Sequence, residues 1–117
     1  MSYNYNRATL VGRLTRPPEI HTINEVKRTT FVLAINRNHK REDGSTNTDF
    51  VPVTVWGKLA GLAEQYLQKG KPVLVEGRIH VRAFNKEKET KWITEVIGEN
   101  IQLLGVKTQI LSDDEKS

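Results

Sequence analysis

The chain of 117 residues carries 18 Lys and Arg against 14 Asp and Glu, for a net charge of +4, and contains no Cys. That length suits a single domain with a real core. The lack of Cys excludes disulfide scaffolding, thiolate catalysis and cysteine-held metal or iron–sulfur sites, and no apolar run nears the ~18 residues of a membrane span.

The last six residues, SDDEKS, hold three acids and one base, so the body is more basic than the whole. A basic body favours an anionic partner, with nucleic acid ahead of a membrane surface because no basic amphipathic helix is visible. The opening stretch MSYNYNRATLVGR has neither a signal-peptide pattern nor a transit-peptide pattern, so a mature, intracellular protein is expected.

In chain order, residues 6–15 form the first period-two segment, with Ala8, Leu10, Gly12 and Leu14 on one face, and Pro17-Pro18 stops it. A short extended piece over 19–23 leads through Asn24-Glu25 to a second strand over 27–36, rich in Thr, Val, Phe and Ile. Residues 37–47 read as a long polar loop.

The third strand, 48–56, separates Val51, Val53 and Val55 from Phe50, Pro52, Thr54 and Trp56. With the valines inward, Phe50 and Trp56 either pack under another element or stand on the outer surface. Over 58–68 the period changes: Leu59, Leu62, Ala63, Tyr66 and Leu67 make one helical stripe, and Gly70 is expected to cap the helix.

A fourth strand over 72–84 places Val73, Val75, Gly77, Ile79, Val81 and Ala83 on one face. Its other face carries Arg78, His80, Arg82 and Phe84. Residues 85–90 read as a charged hairpin tip. A fifth strand over 91–104 follows, with Gly98 as a candidate bulge and Trp92 expected to pack on the core side with Thr94 and Val96.

The chain is thus expected to be all-β: a five-stranded Greek-key barrel of OB-fold type, with one α-helix between the third and fourth strands. Residues 1–111 are expected to form the domain, and 112–117 a short polar, disordered tail. Such barrels bind single strands when cations track the phosphates and flat apolar side chains receive the bases. Phe50, Trp56 and Phe84, with Arg78 and Arg82 nearby in the pattern, meet both demands.

The blocks NRATLVGRLTRPPE, TDFVPVTVWGKLA and YLQKGKPVLVEGR, followed by TEV and NIQLLG, closely resemble bacterial-type single-stranded DNA-binding proteins, in order and spacing, over about residues 5 to 105. The resemblance implies a homotetramer that wraps and protects single-stranded DNA, without sequence preference, in replication, recombination and repair. It also implies a cytoplasmic, nucleoid-associated setting. Base-stacking positions carried over are Phe50, Trp56, Phe84 and His39; basic ones are Arg7, Lys58, Lys69 and Arg82. Arg13 and Arg78 join the phosphate set as cations of this particular chain.

Three departures stand out: a His at 39, a Pro inside the third strand at 52, and an end at SDDEKS. Asp113, Asp114 and Glu115 are acidic but lack the apolar anchor of the family's recruiting tip, which puts recruitment of replication and repair proteins through it in doubt. His21, His39 and His80 show no ligand spacing, and neither glycines nor carboxylates form a catalytic or phosphate-loop pattern, so no metal, cofactor or enzymatic activity is expected. The alternative reading is a small dimeric OB-fold accessory protein of primosome type that scaffolds other proteins and binds single strands weakly. An OB-fold nuclease is the third.

Overall fold

The computed structural model describes the backbone of residues 3–40, 42–105 and 109–112. The elements run β1 (Ala8–Leu14), β2 (Glu19–Ile23), β3 (Val26–Lys40), β4 (Thr46–Trp56), α1 (Gly57–Tyr66), β5 (Pro72–Lys86), β6 (Glu89–Leu103) and β7 (Gln109–Ser112). Hydrogen-bonded neighbours follow the order β1-β5-β6-β4-β3-β2, and β7 adds to β6. The barrel closes at two short seams: β1 returns to β3 at Arg13 and Leu14, and β4 meets β6 in parallel at Val53 and Thr54.

Five of the strands and the helix lie where the hydropathy periods place them, but β3 runs on to Lys40 and β4 begins at Thr46, so much of the polar loop expected over 37–47 is paired strand. The sheet has seven strands in all, because the short extended piece becomes β2 and a further strand, β7, follows the fifth predicted one. Only Gln109–Ser112 form β7, too few residues for a period to show, yet Leu111 is fully buried. Ser112, expected in the tail, ends this strand, while Asp113, Asp114 and Glu115 lie outside the described residues.

The inward parity of each strand builds the core. Leu14, Leu33, Val53, Val55, Val73, Val75 and Ile101 are buried, and α1 closes one end with Leu59, Ala60 and Ala63. Thr29, also buried, donates its hydroxyl to the Ala60 carbonyl at 2.8 Å and so ties helix to barrel. Burying each of the Val, Leu and Ile side chains stabilises the fold by roughly 1.5–3 kcal/mol, which is why the alternation dictates the fold.

Gly70 does not cap the helix. Leu67 already has extended backbone, with its N–H bonded to the Ala63 carbonyl, and its buried side chain draws the chain back to the barrel. Gly70 instead serves a following turn at φ +81°, where its N–H reaches the Leu14 carbonyl at 2.8 Å. The predicted irregularity near Gly98 is present: Gly77 opposes Gly98 while Glu76 opposes Asn100, leaving Glu99 as the extra residue. Two glycines meet there because a Cβ on Gly77 would run into the Ile97 carbonyl, and one on Gly98 would lie 2.7 Å from Val55 Cγ1.

β6 stays in the barrel through Ile97 and Val96, which pair with β4, and beyond Val96 β5 and β6 leave it as a two-stranded ribbon. The pairing continues to Lys86 and Glu89, so most of the predicted tip is strand, and only Glu87 and Lys88 turn, both at positive φ. Trp92 therefore does not pack in the core: it has inward parity but is 70% exposed, because the ribbon has outrun the layer that would cover it.

Candidate nucleic-acid interface

The site is the outer face of β3, β4 and the β5–β6 ribbon. The β3–β4 register sets Arg28 opposite Trp56, Thr30 opposite Thr54, Val32 opposite Pro52 and Ala34 opposite Phe50. Thr54 neighbours Ile97 of β6, which faces Arg78 of β5. From Arg78 the same parity carries His80, Arg82 and Phe84 outward along the ribbon, opposite Glu95, Ile93 and Lys91.

Phe50, Trp56 and Phe84, 65%, 39% and 43% exposed, thus share one continuous outer surface. Phe50 and Trp56 lie six positions apart on one strand, about 20 Å at the usual rise, so one strand of nucleic acid would pass over several positions. Pro52, between them, is compatible with this strand because β6 meets β4 only at Val53 and Thr54. His39 belongs to β3 by its backbone, but its side chain lies outside the described residues.

The expected cations divide into groups. Arg78 and Arg82 stand on the aromatic surface, and Arg82 Nε donates to Glu95 Oε2 at 3.0 Å. Lys58 is exposed in the first turn of α1, two residues after Trp56. Arg13 and Lys69 line a separate open recess of about 600 Å³ below the helix, where Arg13 donates to the Gly70 carbonyl at 2.9 Å. Arg7, just ahead of β1, pairs with Glu99 at 3.0 Å.

A cleft of about 260 Å³ opens beside Trp56 and brings in Arg28, His80 and Glu95, three residues the sequence reading left out of the site. The parity of Arg28 with Thr30 and Val32 was readable; its position opposite Trp56 is a matter of register, which a single strand does not reveal. Between β3 and β4, near the irregularity in their register, Arg37 donates to both oxygens of Asp49, with a shortest contact of 2.8 Å. This hydrogen bonding keeps the Asp49 carboxyl below its usual range and raises Arg37. Ser45 likewise lowers Asp43 through its side-chain and backbone donors.

Among the described residues no three His, Asp or Glu side chains gather as a metal site, and no helix is long and apolar enough to cross a membrane.

Residues 5–104 match the sequence model of the single-strand binding protein family. Single-stranded DNA-binding protein 1 of Clostridium acetobutylicum is 40% identical over 107 residues, 89% of this chain and 97% of the relative. Single-stranded DNA-binding protein 2 of Staphylococcus aureus is 41% identical over 104 residues, 87% of this chain and 75% of the relative. Among solved structures, a Plasmodium falciparum SSB complex with ssDNA superposes with a TM-score of 0.75 at 29% identity, covering 95% of this chain and 96% of that one.

Proposed function

The chain belongs to the single-strand binding protein family, and on that premise we propose that it binds and protects single-stranded DNA, without sequence preference, in replication, recombination and repair. The observation that carries the reading is the single outer surface on which Phe50, Trp56 and Phe84 stand exposed, with Arg78 and Arg82 between them. A soluble domain gains nothing from leaving three large rings in water, whereas unstacked bases gain roughly 1–3 kcal/mol each from such a ring.

In this reading Phe50, Trp56, Phe84 and His39 receive bases. Arg78, Arg82 and Lys58 neutralise phosphates near them, and Arg7, Arg13 and Lys69 lengthen the track around the barrel. Because every base has a flat face and every nucleotide a phosphate, the mechanism is indifferent to sequence. Counterion release makes it salt-dependent, with a slope near −0.7 per phosphate neutralised.

The protein works as a homotetramer in the cytoplasm on nucleoid DNA and is a binder, not an enzyme, with residues 1–111 as the binding domain. Assembly is supported by β1, which pairs with β5 along Ala8 to Arg13 but with β3 only at Arg13 and Leu14. Its second edge ahead of Arg13 thus has no partner among the described residues, beside the half-exposed Val11, and is open to a strand from another copy. Binding of oligo-dT against duplex of the same length, at two salt concentrations and with mass by light scattering, tests the reading. A tetramer with strong, salt-sensitive preference for the single strand is expected; equal binding to duplex would contradict it.

A further inference from the structure

One face of the half-exposed Trp56 ring is partly occupied in the free protein. The Arg28 guanidinium lies over the indole with its carbon 5.7 Å from the ring centre, within cation–π range. Arg28 and Trp56 line the 260 Å³ cleft together with His80, Arg82 and Glu95. Arg82 is held there by Glu95 at 3.0 Å.

Two polar atoms in this cleft's lining have no hydrogen-bond partner among the described residues: Arg28 Nε and His80 Nδ1, both buried. A buried nitrogen without a partner is costly, and most native ones are satisfied. Two such atoms beside one aromatic belong to an arrangement that relaxes when the cleft is rearranged. Arg28 has the means: it is only part-buried, its guanidinium sits at the end of a flexible stem, and no ion pair fixes it among the described residues.

We propose that Arg28 is a displaceable cover on Trp56, which gives way to a base and then holds the phosphate of that same nucleotide. This rests on the single-stranded DNA reading and deepens it. An exposed cation–π contact is weaker than a base stacked on indole, so the exchange runs toward the base. The freed guanidinium keeps its charge at every accessible pH and offers a planar fork that matches a phosphate, so Nε gains an acceptor when the ring gains a base.

His80 borders the same cleft, and the Glu95 carboxylate there is already neutralised by Arg82, so it does not repel the phosphate drawn to Arg28. The subsite thus takes a whole nucleotide, ring and phosphate together, whatever the base. A base at Trp56 and a phosphate neutralised at Arg28 become one event.

The chain has two Trp residues, so a Trp92→Phe protein reports on Trp56 alone. In that parent, Arg28→Ala and Arg28→Lys are compared by acrylamide quenching of the free protein and by the salt slope of oligo-dT binding, with circular dichroism to verify folding. Arg28→Ala is expected to make the free indole more quenchable and to lower the slope by about 0.7, one phosphate. Arg28→Lys is expected to restore the slope but not the shielding, since an ammonium lacks the planar face. A slope in Arg28→Ala equal to the parent's, or shielding unchanged, overturns the proposal while parent binding stays normal. A parent that fails to bind oligo-dT sinks the single-strand reading itself, and the proposal with it.

Discussion

The two halves of the β5–β6 pair obey the same alternation and meet opposite fates. In the barrel half, Val73, Val75 and Ile101 are sealed from solvent; in the ribbon half, Ile79, Val81 and Trp92, of the same inward parity, are open to it. The chemistry of the side chains is alike, so what differs is the second layer. Parity decides which way a residue points, and only a covering element decides whether pointing that way buries it. The Gly77–Gly98 crossing, with its extra Glu99, lies just inside the change: Val96, paired with Val53 of β4, is the last inward residue of β6 on this side to be buried, and Thr94 and Trp92 beyond it are open.

The largest expected effect lies in the barrel half. Ile101→Ala should cost about 2–5 kcal/mol of unfolding free energy, since it opens a cavity in a closed core; Val81→Ala in the ribbon should stay within about 0.5 kcal/mol. Urea unfolding of the two variants measures the contrast, and equal losses would erase the distinction between the halves.

On the outer face the effect moves from stability to binding. Trp56→Ala should weaken oligo-dT binding by about 1–3 kcal/mol with the fold intact, as fluorescence anisotropy with a labelled strand would show. Arg82→Ala should flatten the salt slope by about 0.7. That variant should also lose some stability, because it leaves the Glu95 carboxylate, which is only 10% exposed, without its cation.

The smallest effect is at the Arg37–Asp49 pair, which is wholly at the surface. Asp49 is held below its usual 3.8 by hydrogen bonds from Arg37. A depressed carboxylate stabilises the folded state above its unfolded value, and that contribution is lost as the pH falls through the lower folded one. An NMR titration should therefore find the Asp49 midpoint below 3.8, moving back toward that value in Arg37→Ala.

Much of this molecule was legible as periods of two and 3.6. The five long strands, the helix and the outward parity of Phe50, Trp56 and Phe84 follow from the spacing of apolar residues, because each element must bury one face. Three features escaped for separate reasons. β7 is too short to carry a period; parity places Trp92 in the core because it is silent on where the barrel stops; and Gly70 reads as a cap because the apolar stripe does not show that Leu67 leaves the helix to bury its side chain. The cleft of Arg28, Trp56, His80 and Glu95 draws on four strands, and it exists only once register brings them side by side.

Base stacking on the outer face of β3, β4 and the ribbon is what the proposed function requires. The most direct test is the emission of Trp56 in a Trp92→Phe protein, titrated with oligo-dT at low and high salt. The account predicts strong quenching that saturates with the strand and needs more of it at high salt. Emission that stays unchanged at saturating strand, with binding verified by anisotropy, would contradict it.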